Sequence, residues 1–296
     1  MIRKIKYSII YSITLCLCII MLYNCKKNIH ETEYINGFEV QWNGRFSKNQ
    51  MSEIRDAINS MVFVQGGTFL MGAQADSIDG LNYDVDAGPY ETPVHEVSVG
   101  GFYISNIEVT QGLWKAVMNE TPNDESDMQW EDHYGKGDNY PAYRISYNDA
   151  LNFISKLNEY TGLSFTLPTE AQWEYAARGG VETQNTIYSG SNDINSVAWT
   201  TSNASSSKEV KTKSPNALGL YDMSGNVWEM CLDWYMDYTE ESVTDPICEE
   251  YGEGYKVFRG GSWNNDNRQA RVSCRYKQGV HYRDYQTGIR LVHPNI

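Results

Sequence analysis

The stretch that most constrains this chain lies near its C-terminus. Phe258-Arg259-Gly260-Gly261-Ser262-Trp263 is followed by Arg271-Val272-Ser273-Cys274-Arg275 and then by Thr287-Gly288-Ile289-Arg290-Leu291. A glycine pair permits positive φ or close backbone approach. Val272 and the Ile289-Arg290-Leu291 run suit strands. The segments between them are polar and aromatic with few aliphatics, so they do not form layers of their own. They predict short strands framing a long loop, and such loops carry binding or catalysis when a rigid scaffold presents them.

The 296 residues allow one large domain or two ordinary ones, and the formal charge is −14. An acidic surface of this size disfavours nucleic acid, whose phosphates need basic partners. It fits solubility or cation binding. Residues 1–25 differ from the rest: Arg3, Lys4 and Lys6 precede an apolar run from Ile9 to Leu22, with no acid. That run is short for a membrane span and has the form of a secretory leader. Leu22-Tyr23-Asn24-Cys25 resembles a bacterial lipobox, in which Cys25 becomes the lipidated first residue. The expectation is a cell-envelope protein held at a membrane by a lipid, at the outer membrane or cell surface. Cys231, Cys248 and Cys274 then remain, which allows at most one internal disulfide and leaves a free thiol.

Residues 26–60 read as a tether. Phe38, Val40 and Trp42 alternate as in one short strand, and Ile54, Ala57, Ile58 and Met61 have helical spacing at the domain edge. Residues 61–296 read as one domain. Met61 to Gly72 has the pattern of a hairpin around Gly66-Gly67. Pro93–Val99 and Phe102–Ile104 read as strands. Thr110, Ser146 and Thr169 are placed to cap helices, with Gln172 completing a capping box behind Thr169 and Gly179-Gly180 ending that helix. The second helix shows the stripe Ala150, Leu151, Ile154 and Leu157. The fold class is α+β, with few, short elements and much ordered loop.

Five motifs occur in order: Gly66-Gly67-Thr68-Phe69 with Met71-Gly72, Glu108-Val109-Thr110, Leu167 to Ala176, Gly219 to Glu229, and Arg259-Gly260-Gly261-Ser262-Trp263. Together they resemble the formylglycine-generating enzyme, or sulfatase-modifying factor, family over about residues 61–292. The resemblance implies a C-type-lectin-like core with low regular secondary structure. It also implies an oxidation of a sulfatase cysteine to formylglycine, using copper(I) held by two cysteines just after the Gly-Gly-Ser segment. Soft thiolates select that ion. Here Trp263 to Ala270 contains no cysteine, so copper is not expected and no residue is assigned a catalytic role. Cys274, at a later position, reads as a small buried hydrophobe. Iron-using branches of the family rely on clustered histidines, whereas His133, His281 and His293 are scattered.

The family also holds calcium in the loop matching Asp222 to Glu229. The resemblance implies Asp222 and Glu229 as carboxylate ligands, with Gly225 and Val227 giving backbone carbonyls, a hard-oxygen set suited to Ca²⁺. The alternative is a turn in which Asp222 caps nearby amides and Glu229 pairs with an arginine. Arg271, Arg275 and Arg290 are expected to pair with buried acids such as Glu170, Glu174 or Asp233. Trp173, Trp228, Trp234 and Trp263 are expected in the core.

What remains at the opening stretch is an exposed set: Asn264, Asn265, Asp266, Asn267, Tyr276, His281, Tyr282, Asp284 and Tyr285, with Gln269, Gln278 and Gln286. Tyrosine with Asn, Asp and Gly is the composition of an adaptable recognition surface. The loop is also similar to the variable region of retroelement-diversified proteins of this fold, although Lys277 and Gln278 depart from an adenine-targeted pattern. The leading expectation is a lipid-anchored, non-catalytic module that binds a protein or small molecule at the cell surface, with calcium. Two alternatives stand beside it: a divergent oxidoreductase of the family, and an accessory lipoprotein of an envelope complex.

Overall fold

The computed structural model describes residues 27–120, 129–183, 185–252 and 254–295. The expected leader and its Cys25 lie outside these residues. No helix among the described residues is long and apolar enough to cross a membrane.

The first element is a hairpin. β1 (Lys27–Ile35) and β2 (Phe38–Phe46) pair antiparallel from Lys27 with Phe46 to Ile35 with Phe38. Asn36 and Gly37 turn with φ of 50° and 84°, the left-handed pair that a tight hairpin turn needs. Phe38, Val40, Trp42 and Phe46 are buried on one side. α1 (Lys48–Asn59) follows at once, opened by a capping box between Ser47 and Gln50. Its Met51, Ile54 and Ile58 enter the same core as the hairpin. Residues 27–60 therefore pack into the domain, where the sequence reading placed a tether. The alternation at Phe38, Val40 and Trp42 does mark a strand, but a strand with a buried face needs a partner, and residues 27–35 supply it.

β3 (Met61–Val64) and β4 (Gly67–Met71) do not form the expected hairpin. β4 pairs with β5 (His95–Val99), and β3 pairs with β6 (Phe102–Ser105). Gln65 and Gly66 carry the chain from one sheet to the other. A Cβ on Gly66 would sit 2.7 Å from the Val99 carbonyl oxygen, so glycine is what allows this crossing.

The helices begin where the caps predict. α2 (Gln111–Met118) starts behind Thr110, α3 (Tyr147–Thr161) behind Ser146, and α4 (Glu170–Ala177) behind Thr169, each cap accepting an amide of the first turn. The buried face of α3 is Ala150, Phe153, Ile154 and Leu157; of the expected stripe only Leu151 is exposed, and Phe153 is buried instead. A short α5 (Ile194–Val197) follows.

The C-terminal strands are β7 (Trp228–Trp234), β8 (Val243–Thr244), β9 (Tyr255–Arg259), β10 (Arg275–Gly279), β11 (Thr287–Gly288) and β12 (Val292–Pro294). They complete three sheets ordered β10-β9-β7-β11, β12-β6-β3 and β4-β5-β8, beside the β1–β2 hairpin. Val272 and Ile289–Leu291 are not in strands. Val272 donates its amide to Ile187, and the Ile289 and Leu291 carbonyls accept from Val109 and Ser105. Their backbone groups are met by loops and by the last residue of β6, and no ladder forms.

Two apolar clusters fill the interior. One lies between the hairpin, α1, α2 and α3, where Trp114 and Phe153 stack at 4.8 Å. The other packs Trp173, Tyr175 and Ala176 of α4 against β4, β5 and β6. Trp42 is 2 % exposed and donates its indole N–H to Glu33 at 2.8 Å. Trp42→Ala is expected to cost about 3–5 kcal/mol in urea unfolding, as truncation of a core aromatic does. A tether residue would shift stability by no more than about 0.5 kcal/mol.

Candidate functional site

The residues that position the C-terminal loop are arginines. Arg259, on β9, donates to Glu170 at 3.0 Å, to Glu174 at 2.5 Å and to the Val272 carbonyl at 2.7 Å. Arg275, on β10, grips both oxygens of Glu170 at 2.6 and 2.8 Å. Arg271 takes a different route from the expected one. It pairs with Asp84 at 2.9 Å and with both oxygens of Glu91 at 2.8 and 2.7 Å. Its partners lie in a loop about 180 residues earlier in the sequence, with no local pattern to announce them. Arg290 pairs with Glu229. Burial alone would push Glu174 up, but Arg178 and Arg259 outweigh it and hold the carboxyl below its usual range.

Asp233, expected as an arginine partner, has none. Its carboxylate accepts the amides of Glu170 at 2.7 Å and Cys248 at 2.9 Å. Burial, with Glu170 nearby, pushes it up to about 6.

The Asp222–Glu229 loop is wound tightly. Asp222, Asn226 and the facing Lys211 are all left-handed, with φ of 57°, 60° and 66°. Gly225 has φ 78°, and a Cβ there would collide with the Trp199 backbone. The Glu229 carboxylate is fully engaged: one oxygen accepts Arg290 at 3.0 and 2.6 Å, the other Arg290 at 2.9 Å and Trp173 at 2.7 Å. Two bonds per oxygen use its lone pairs. The pairing with Arg290 is the alternative that the sequence left open for Glu229. Asp222 is different. One oxygen accepts the Lys211 amide at 2.7 Å, and Oδ1 is buried with no partner. Burial pushes Asp222 up to about 6. Glu108 lies beside it, also held well above its usual range by burial and by Asp222 and Glu229, while accepting from Asn226 at 2.8 Å and Val227 at 3.2 Å. An orphaned carboxylate oxygen amid excess negative charge fits a cation at Asp222. The Gly225 and Val227 carbonyls stay with that loop. Among the described residues no three His, Cys, Asp or Glu side chains are grouped to hold a metal.

The candidate loop residues divide into two groups. Tyr276, Tyr282, Asp284 and Tyr285 come together. Tyr276 stacks on Trp228 at 5.1 Å, and Tyr285 stacks on Tyr134 at 4.3 Å and leans on Trp263 at 5.6 Å. The Tyr282 hydroxyl donates to Asp284 at 3.2 Å, and burial with the Asp284 charge pushes that phenol up to about 12. His281 and Tyr282 are exposed at the tip. Asn264, Asn265, Asp266 and Asn267 face another way. Asn267 accepts from Thr200 at 2.9 Å, the Asn265 carbonyl accepts the Thr201 amide at 3.0 Å, and Asp266 caps a 3-10 turn over Asn267–Ala270. Ser262 joins the two groups: its hydroxyl lies 2.5 Å from the Asn265 side chain and 2.9 Å from that of Gln286, within hydrogen-bond reach of both. Tyr134 and Arg144, whose guanidinium lies 5.4 Å over the Tyr134 ring, belong to the aromatic group and were missed. The only sequence signal for Tyr134 is an aromatic in a loop rich in Asp and Gly.

The loop's path is held by its main chain. The carbonyls of Val280, Asp284 and Gln286 accept amides of Tyr147, Arg144 and Trp228, and that of Tyr285 accepts the Trp263 indole. Gly261 has φ 75°, and a Cβ on it would lie 2.6 Å from the Gln269 carbonyl oxygen, so the chain doubles back on itself there.

Cys231, Cys248 and Cys274 are all free. Cys274 is buried at a non-strand position, its thiol pushed up to about 12 by burial. Trp173, Trp228 and Trp263 are core residues as expected, while Trp234 is half-buried over Lys256.

Asp233 generates a pH prediction. Its folded value lies above an ordinary unfolded aspartate, so the folded state holds the extra proton between about pH 4 and 6. This contribution is fully present below that window and is lost as pH rises through it, with a slope of about 1.4 kcal/mol per pH unit. Asp233→Asn is expected to remove that slope in urea titrations between pH 4 and 6. An unchanged slope would show that Asp233 titrates normally.

The comparisons with known proteins agree with this geometry. A family model described as a sulfatase-modifying factor enzyme 1-like domain matches residues 47–295. A protein named chaperone protein LppX, from Paenibacillus barcinonensis, is 28 % identical over 247 residues, covering 66 % of this chain and 81 % of that protein. The formylglycine-generating enzyme of Streptomyces coelicolor is 28 % identical over 260 residues, covering 68 % and 78 %. Among solved structures, Treponema denticola variable protein 1 superimposes with a TM-score of 0.65 at 26 % identity, covering 90 % of this chain and 99 % of that one. Fold, ordered motifs and the match over residues 47–295 agree: the chain belongs to the sulfatase-modifying factor enzyme 1-like family.

Proposed function

We propose that this chain is an envelope-anchored binding module on a formylglycine-generating-enzyme scaffold, with its recognition surface at Tyr276, His281, Tyr282, Asp284 and Tyr285 and an adjoining polar patch at Asn264–Asn267. One observation carries the reading. The segment where the enzymes place two copper thiolates is Trp263–Ala270, which holds no cysteine and folds into a 3-10 turn bonded to Thr200 and Thr201. Cys274 and Cys231 are buried, and burial raises both thiols, which disfavours the thiolate that binds copper. Exposed tyrosine tips over a fixed main chain favour recognition. The names of two relatives, a chaperone and a variable protein, point the same way. The leader and Leu22-Tyr23-Asn24-Cys25 support a lipid anchor on Cys25.

The purified protein, loaded with copper(I) under air and given a cysteine-containing sulfatase peptide, is expected to give no formylglycine aldehyde above buffer. Conversion that is lost in Cys274→Ser would overturn the binding reading in favour of an oxidase.

Calcium belongs to the same proposal. The Asp222 Oδ1 orphan supports it, and Ca²⁺ would supply the missing positive charge. Calcium at 100 times its dissociation constant is expected to stabilise the fold by about 2.7 kcal/mol. The check is a thermal melt with calcium, with chelator, and with Asp222→Ala, in which the calcium effect should vanish. A melt that chelator leaves unmoved means that no calcium binds there.

A further inference from the structure

A cavity of about 550 Å³ opens between the end of β7, the start of α4 and residues 236–250, and none of the recognition residues lines it. Its size is that of a small-molecule pocket. Its walls are fixed by the fold. β8 is paired with β5, and the Asp245 carboxylate accepts the Gly100 amide at 2.6 Å. Further on, the Cys248 amide donates to the Asp233 carboxylate at 2.9 Å, and the Trp234 amide donates to the Cys248 carbonyl at 2.9 Å. The cavity is thus preformed.

Two properties of its lining serve no purpose in the fold. The first is apolar surface left in solvent: Met236 and Ile247 are 41 % and 43 % exposed, beside Val243, Pro246 and Tyr238. The second is negative charge without a counterpart. Glu170, Asp233, Asp237, Glu249 and Glu250 line the cavity together with Arg275. Arg275 is fully committed: it holds both oxygens of Glu170 and donates to the carbonyls of Tyr90 at 3.0 Å and Met236 at 2.9 Å. His95, also at the wall, sets Nδ1 against the Pro93 carbonyl at 3.0 Å and its ring against Tyr238 at 4.7 Å. Lys256 lies over the Trp234 ring at 3.9 Å and donates to the Leu232 carbonyl at 2.6 Å, and Lys277 lies over Tyr235 at 4.8 Å; neither lines the cavity. Asp237, Glu249 and Glu250 are exposed and in no ion pair among the described residues. Asp233 is the inner group. It is 6 % exposed, and each of its oxygens accepts one amide, from Glu170 or Cys248, where a carboxylate oxygen can accept two bonds. A buried carboxylate without a countercharge is unfavourable, and a cation beside it relieves that.

We propose that this cavity is a binding site for a primary ammonium on an aliphatic chain, its charge held by Asp233 and the rim carboxylates Asp237, Glu249 and Glu250, and its carbons covering Met236 and Ile247. A bare metal ion would leave the apolar wall wet, a neutral apolar molecule would leave the charge uncompensated, and an anion would be repelled. The carboxylates come from separate positions around the cavity, which suits the compact charge and rotatable donors of an ammonium better than the planar fork of a guanidinium.

Isothermal titration of the purified protein with hexylamine, hexan-1-ol and hexanoate tests the site. Hexylamine is expected to bind saturably, more tightly than butylamine and several-fold more tightly than hexan-1-ol, while hexanoate gives no binding. Glu249→Gln with Glu250→Gln, both on the exposed rim, should weaken hexylamine several-fold at low salt and less at high salt. Asp233→Asn should weaken it at either salt concentration. No saturable binding of hexylamine, or an equal affinity for hexan-1-ol, overturns the proposal. Wild-type affinity in both variants places the amine elsewhere and overturns it as well. Nα-acetyl-lysine methylamide separates the two sources of this chemistry. Tighter binding than hexylamine assigns the site to a lysine side chain of a partner, and weaker binding assigns it to a free amine.

Discussion

The rest of the structure depends on a buried line of alternating charge: Arg178, Glu174, Arg259, Glu170 and Arg275. Glu170 and Glu174 of α4 and its C-cap Arg178 are spaced at i, i+4 and i+8, which puts them on one face. Arg259 and Arg275 come from paired strands, β9 and β10, where they sit opposite each other. Glu174 also accepts the Gly72 amide at 2.9 Å, and Arg178 donates to the Gly72 carbonyl at 3.0 Å, so the end of β4 is joined to the same line. Taking such charges out of water is costly, and the cost is offset only when geometry and hydrogen bonding are nearly complete. Removing one member leaves its neighbours buried and unpaired, which typically costs 3–5 kcal/mol. The arrangement is therefore a specifying device. Only one docking of α4 against β9 and β10 satisfies it.

A fold with few long elements has a second requirement. Its many loop amides and carbonyls need partners, because unpaired buried backbone groups are expensive. Here they find them in side chains and in other loops. Gln111 donates to the carbonyls of Gly135 and Pro141, Asn216 donates to Ala176, and Asn226 bridges Lys208 and Glu108. Asn and Gln do this well because each carries both donor and acceptor. The same chemistry that makes the composition look loop-like is what orders the loops.

This explains what was legible in the sequence. Thr110, Ser146 and Thr169 were readable because a cap is local: the side chain bonds to an amide three residues on. The family was readable because its motifs are contiguous. Strand partners were not, since the two-residue link between β3 and β4 matches a hairpin just as well as a crossing between sheets. The hairpin at 27–46 was half-read, because a largely polar β1 gives no period of its own. Arg290 was expected to meet a buried acid, and it does, but that acid is Glu229, which the resemblance had set aside for calcium. Arg271 was beyond reach, its partners at Asp84 and Glu91 being fixed by tertiary packing alone. The candidate loop residues are exposed or half-exposed, as expected, yet no pattern in the sequence could show that Asn264–Asn267 turn toward Thr200 while Tyr285 turns toward Tyr134.

The main-chain capture of the loop has a consequence for how this surface can change over generations. The four main-chain bonds that hold Val280, Asp284, Tyr285 and Gln286 have their donors outside the loop and use carbonyls that any amino acid provides. His281 and Tyr282 stand beyond those anchor points, in solvent. Replacing a side chain there alters the chemistry on display and leaves the anchoring bonds intact. Inheritance of shape and variation of specificity are thereby assigned to different atoms of the same residues, so the loop can explore new ligands without first acquiring compensating changes in the core.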